Sequence, residues 1–206
     1  VIMAEFVDTF SRIGIPDELP HLFLISGGAL AVENALKTAF DWKVRKQYPN
    51  GFPSQEAEDA YVNSLKVIYF RQAFHGRSGY TLSMTNTVRD KIAYFPKFNW
   101  IRVDNPHQHF PMNQEKLQQL IRDEQKVIET IETAIRKEEK QIAAIVIEPI
   151  QAEGGDNHFR PEFLQALRRI CDQYEVMLIF DEVQTGVGIT GAFWAYQKLG
   201  VKPDIL

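Results

Sequence analysis

The chain has 206 residues, 45% of them hydrophobic and 12% aromatic, which suits one large domain or two small ones and argues against disorder. A formal net charge of −4, with Lys and Arg spread along the chain, argues against a nucleic-acid footprint or a basic membrane-surface helix. A single cysteine leaves no internal disulfide framework, no apolar run approaches about 18 residues, and Val1-Ile2-Met3-Ala4-Glu5 lacks an export-signal pattern, so a cytoplasmic protein without a membrane span is expected.

In chain order, His21 to Ile25 reads as a strand that Gly27-Gly28 turns into a helix running to about Lys46. Leu30, Ala31, Leu36, Phe40 and Val44 are its apolar positions. Asn50 to Asp59, rich in Gly, Pro, Ser and acids, reads as a surface excursion. Val67 to Phe70 is a second strand, followed by the loop Phe74-His75-Gly76-Arg77-Ser78-Gly79-Tyr80, and Trp100 to Val103 is a third. Between Asn113 and Lys140, Leu117, Leu120, Ile121, Val127, Ile128, Ile131 and Ile135 keep helical spacing, with Arg136 to Lys140 as the solvated end.

Ile142 to Ile147 is an apolar strand ending at Glu148-Pro149. Pro161 suits the first position of a helix whose buried stripe is Phe163, Leu164, Leu167, Ile170 and Cys171. Val176 to Phe180 is another buried strand, ending at Asp181. Strands alternating with helices predict an α/β fold: a mainly parallel sheet with helices on both faces. The chain starts without Met, and Pro203-Asp204-Ile205-Leu206 reads as the start of a further strand. A segment of a longer protein is therefore expected.

The chemistry concentrates where strands end. Asp181-Glu182-Val183-Gln184 follows a strand at the edge where open α/β sheets bind ligands, and an acid there can keep a basic ring nitrogen protonated. Ser26-Gly27-Gly28-Ala29 is either a plain tight turn or an anion cradle at a helix start. In Phe74-His75-Gly76-Arg77 an aromatic face could stack on a heterocycle and an Arg could clamp a carboxylate, unless these are a core Phe and a surface Arg.

Glu148 and Glu153-Gly154-Gly155-Asp156 offer acids for proton transfer or a solvated glycine turn. Gly186-Val187-Gly188-Ile189-Thr190-Gly191 fits the dinucleotide fingerprint in letters only. Polar residues separate it from the strand, and no acid about 20 residues on can be placed. His107-Gln108-His109 lacks a third ligand and reads as a surface loop, so no metal is expected. His75 and His158 read as hydrogen-bonding loop residues, and Cys171 as core.

Taken in this order, three motifs resemble the class III, fold-type I aminotransferases that use pyridoxal 5'-phosphate. They are Phe74-His75-Gly76-Arg77, Glu148-Pro149-Ile150-Gln151-Ala152-Glu153-Gly154-Gly155 and Phe180-Asp181-Glu182-Val183-Gln184-Thr185-Gly186. The likeness runs from about Phe23 to Leu206, and the stretch Gly27 to Lys37 is most similar to the L-lysine 6-aminotransferases.

The resemblance implies an incomplete cofactor-binding large domain over 1–206, with the small domain elsewhere. It implies that Asp181 pairs with the pyridinium nitrogen, that Phe74 and Val183 sandwich the ring, and that Gln184 bonds near the phenolic oxygen. Gly28 and Ala29 would donate backbone N–H groups to the phosphate, and Glu148 would support the site from behind. Arg77 would bind a substrate carboxylate. Glu153 would be the acid that pairs with an arginine outside this segment while the amine donor binds.

The implied reaction moves the ε-amino group of L-lysine to 2-oxoglutarate, giving glutamate and a semialdehyde, in a cytoplasmic homodimer. The alternatives are a 4-aminobutyrate or ornithine aminotransferase, or a non-catalytic cofactor-binding relative. The Schiff-base lysine is expected beyond Leu206, Lys202 being no substitute, so the segment alone should be inactive. The chain departs from the family at Ser26-Gly27-Gly28-Ala29-Leu30, where Ser-Gly-Thr-Glu-Ala is common, and at Gly186 to Gly191, where Gly-x-Gly-Arg-Thr-Gly is common.

Overall fold

A computed structural model describes residues 1–206, apart from the side chain of Glu139. Its elements are α1 (Ile2–Ile13), α2 (Gly28–Gln47), α3 (Gln55–Ser64), β1 (Lys66–Phe70), α4 (Arg89–Ile92), β2 (Ile101–Val103) and α5 (Gln114–Lys137). There follow β3 (Ile142–Ile147), β4 (Ile150–Gln151), β5 (Asn157–His158), α6 (Pro161–Tyr174), β6 (Met177–Phe180) and α7 (Ala195–Leu199).

The apolar runs pair in parallel as a four-stranded sheet of order β2-β1-β3-β6. Every residue of β3 is buried, as expected of a central strand covered on both faces. Side chains alternate between two layers. Ile68, Phe70, Ile145, Ile147, Leu178 and Phe180 pack on α5 and α6 through Ile131, Phe163, Leu164 and Leu167. Val67, Tyr69, Ala144, Val146 and Ile179 face α2 through Val32, Leu36 and Ala39.

Local chemistry explains the helix limits. Asn113 caps α5 by accepting from Lys116 N, and α6 opens on Pro161 and closes at Glu175 with a left-handed φ of 53°. No helix among the described residues is long and apolar enough to cross a membrane.

Two expectations fail. His21 to Ile25 is not a strand: it has no ladder partner, and Leu22 to Ile25 are exposed. A strand is a pairing, and beyond β6 the sheet continues only through the single bridge between Ile179 and Ile205. The excursion from Asn50 is loop only as far as Ser54, whose hydroxyl accepts from Ala57 N and starts α3. The helix α1 was not anticipated; its Phe10 packs edge-on against Phe193 and Trp194.

The strand order positions the site. From β1 the chain leaves toward β2 on one side, and from β3 toward β6 on the other. The carboxyl ends of β1 and β3 therefore flank the reversal point, where a crevice for ligand opens in this class of sheet.

Candidate active site

At that edge the segments following β1, β3 and β6 are tied together by side chains. Asp181 N donates to Ile147 O at 2.9 Å, prolonging the ladder by one residue. The Asp181 carboxylate, 7% exposed, places Oδ2 2.7 Å from His75 Nδ1 and accepts Val183 N on Oδ1 at 3.1 Å. Phe74 N donates to Glu148 Oε1 at 2.9 Å, and His75 N to Thr85 Oγ1 at 2.9 Å. His75 is a hydrogen-bonding loop residue as expected, but its partner lies 106 positions away and was not foreseen. Its Nε2 is buried with no partner among the described residues.

The electrostatics follow from burial. Desolvation pulls the His75 imidazole down, yet the hydrogen bond and charge of Asp181, with Glu148 behind, raise its pKa overall. Burial pushes the Glu148 carboxyl up to about 7, against the charge of His75 and the Phe74 N–H. A carboxyl with a raised folded pKa contributes stability that is fully present below its unfolded value of 4.5 and is lost as pH rises through about 7. Glu148→Gln is therefore expected to flatten the fall in stability across that window. Urea midpoints at pH 5 and pH 8 that change as in the parent protein would refute it.

The turn read as a plain tight turn or an anion cradle lies at the start of α2. Gly27, at φ 93°, turns the chain, and Ala31 N is the first to bond back, to Gly27 O. The N–H groups of Gly28, Ala29 and Leu30 thus have no partner within the helix, and no acid sits in its first turn. A methyl group on Gly28 would lie 2.9 Å from Val183 Cγ1, and one on Gly76 2.5 Å from Ala29 Cβ. The glycines let the turn wedge between the loop after β1 and the loop after β6. Glu33 Oε1 also accepts Tyr80 N at 3.1 Å.

Val183 is 58% exposed, Gln184 and Arg77 are exposed, and Phe74 is half-buried. Arg77 lies on the same loop as His75. Glu153 sits at the tip of the turn between β4 and β5, in ionic contact with Lys91, whose ammonium lies 5.6 Å from the Phe74 ring centroid. Glu182 was given no role from sequence. It is buried and accepts Ala195 N at 2.6 Å, Tyr196 N at 2.8 Å and Thr185 Oγ1 at 3.1 Å, folding the glycine loop back onto α7. The adjacent acids Asp181-Glu182 were the available signal. The loop itself takes left-handed turns at Val187, Gly188 and Gly191, and no dinucleotide-type helix follows it directly.

A cavity of about 600 Å³ lies elsewhere. It opens between β2 and α5, beside Arg102, His107 and Asp123, and includes none of these site residues. His107 and His109 face each other there in a loop, as expected, with ring centroids 4.5 Å apart. Cys171 is buried core.

Residues 4–206 match the family model for class-III aminotransferases. An L-lysine-epsilon aminotransferase of Mycobacterium tuberculosis is 50% identical over 206 residues, spanning 100% of this chain and 44% of the relative. That of Amycolatopsis lactamdurans is 46% identical, over 98% of this chain and 43% of the relative. The human mitochondrial 4-aminobutyrate aminotransferase is 34% identical, over 90% and 39%. A solved lysine aminotransferase from M. tuberculosis, in the internal aldimine form, superposes with a TM-score of 0.88 at 49% identity, covering 100% of this chain and 45% of that one. The chain thus spans less than half the length of the L-lysine-epsilon aminotransferases it matches.

Proposed function

The chain belongs to the class-III aminotransferase family, and from that premise we propose that residues 1–206 are part of the large domain of a longer, pyridoxal phosphate-dependent L-lysine ε-aminotransferase. The reading rests on one observation above the others. Three segments far apart in sequence, the Gly28-Ala29 turn, the loop after β1 and the loop after β6, meet through His75–Asp181, Gly28–Val183 and Gly76–Ala29.

The residues present fit the cofactor. Each oxygen of Asp181 has one protein partner and can accept a further donor, and the free N–H groups of Gly28 and Ala29 suit a phosphate. Bound pyridoxal phosphate supplies an electron sink for the carbon that loses its proton. In this reading Asp181 holds the ring nitrogen protonated, Phe74 and Val183 cover the ring faces, Gln184 hydrogen-bonds at its edge, and Glu148 fixes Phe74 from behind. Arg77 clamps a substrate carboxylate in paired hydrogen bonds. Glu153 is the acid that lets one site serve both an amine donor and a dicarboxylate. The amine that carries the cofactor is supplied from outside these residues, so the chain by itself is expected not to turn over. A cytoplasmic homodimer completes the proposal; the exposed Phe23, Leu24 and Ile25 provide apolar surface for further contacts, and light scattering measures the state.

Identity near 50% to L-lysine-epsilon aminotransferases, against 34% to a 4-aminobutyrate aminotransferase, favours lysine as donor. The test is glutamate formation from 2-oxoglutarate by the full-length enzyme with lysine, ornithine or 4-aminobutyrate. A better rate with either of the latter two replaces the lysine assignment, and no rate with any donor points to a binding relative. Glu153→Ala is expected to change the ratio of kcat/KM for lysine to that for 2-oxoglutarate by about 10-fold. An unchanged ratio removes its switching role.

A further inference from the structure

The turn that carries Glu153 is held by a ring of four amides, of which Gln151 and Asn157 are buried, Asn105 is half-buried and Gln72 is exposed. Asn105 Nδ2 donates to Gln72 Oε1 at 2.7 Å and to Gln151 Oε1 at 2.9 Å. Asn157 Nδ2 donates to the same two oxygens at 3.1 and 3.0 Å. Each asparagine thus bridges both glutamines. Gln151 is 0% exposed and Asn157 6%.

Gln72, Gln151 and Asn157 are also bonded outside the ring. Gln151 Nε2 donates to Arg71 O at 2.8 Å, and Gln72 N to Asn86 Oδ1 at 2.7 Å. Asn157 Nδ2 also reaches Gly154 O at 3.2 Å, inside the turn itself. A methyl group on Gly154 would come 2.2 Å from Gln72 O, so the turn lies directly on the segment after β1. Gly155 and Asp156 then reverse the chain at φ 115° and 53°.

Such a ring needs a reason. The β4–β5 ladder has one Gln151–Asn157 rung and one Ile150–His158 rung, and a hairpin that short does not hold itself. Apolar residues in place of the buried Gln151 and Asn157 could fill that volume without the cost of burying amides, whereas a network of directional hydrogen bonds fixes a single geometry. The geometry fixed is the height of Glu153 above the strand ends.

We propose that Gln72, Asn105, Gln151 and Asn157 are positioning residues that set the placement of Glu153 and so the discrimination between amine donor and dicarboxylate acceptor. This rests on the Glu153 role proposed above. The test is made in the full-length enzyme, by single-turnover kinetics of the two half-reactions. Gln72→Met keeps the shape but removes the shared acceptor, while Gln72→Glu keeps the acceptor.

Gln72→Met is expected to shift the lysine to 2-oxoglutarate ratio by about 10-fold, within what displaced positioning groups cost, with cofactor affinity unchanged. Gln72→Glu leaves the ratio within about threefold, a difference of less than 1 kcal/mol. Asn105→Ala opens the ring at another corner and gives the same shift if Gln72→Met does not fold. A purely structural ring would scale both half-reactions alike. The proposal is overturned if Gln72→Met and Asn105→Ala leave the ratio unchanged while Glu153→Ala alters it, or if Gln72→Glu shifts it as far as Gln72→Met. If Glu153→Ala itself leaves the ratio unchanged, the underlying role of Glu153 fails and the ring's function with it.

Discussion

Asp181→Ala in the full-length enzyme is expected to lower turnover by about 10²- to 10³-fold, the scale seen when a preorganised charge facing the reacting system is removed. The carboxylate already sits in a low-dielectric pocket with both oxygens oriented, by His75 and Val183. Nothing has to reorganise when charge develops opposite it. Folding should also lose a few kcal/mol, from an unpaired buried imidazole and one backbone N–H at about 1–3 kcal/mol each, so turnover is compared at equal folded fraction.

Asp181→Asn tests the charge separately from the shape. Its amide nitrogen would face His75 Nδ1, forcing the imidazole proton onto Nε2, which has no acceptor. Near-parental turnover in either variant, with the melting temperature lowered instead, would make Asp181 a structural acid and end the proposed mechanism.

Gly76→Ala should be the most damaging small substitution at the site, destabilising the protein by about 3 kcal/mol or more. Two effects add. The residue has φ 105°, where a side chain costs about 1–3 kcal/mol, and overpacking costs about another 1–3 kcal/mol. The clash is with Ala29 Cα at 2.8 Å as well as its Cβ, so backbone must move. The backbone that moves is the first turn of α2, whose N–H groups are proposed to hold the cofactor phosphate, so cofactor affinity should fall together with the urea midpoint. An unchanged midpoint with unchanged affinity would show that α2 and the loop after β1 are not in contact. Gly27→Ala is a useful comparison: it shares the left-handed strain, φ 93°, but its added methyl meets nothing within 4 Å.

β1, β2, α5, β3, α6 and β6 were legible because their periodicities are local, whereas the short α4, β4 and β5 were not read from the sequence. β3 and β6 are uninterrupted apolar runs, α5 and α6 carry stripes at helical spacing, and Asn113 and Pro161 mark where those helices begin. His21 to Ile25 was misread for the complementary reason. Its composition suits a strand, but no neighbouring edge takes its hydrogen bonds. The candidate residues were legible as a set, since acids, glycines and an arginine recur just after strand ends. Their partners were not.

From the sequence alone came the alternation of strands and helices, the edge of the sheet where the candidate residues gather, and the three motifs of the family. Tertiary structure alone decided that His75 backs Asp181, that Gly76 admits Ala29, and that Asn105 and Asn157 close a ring with Gln72 and Gln151. Periodicity and turn chemistry are written over a few neighbouring residues. Hydrogen bonds between loops depend on the register and order of strands that bring distant segments to one edge, and no short stretch of chain encodes that distance.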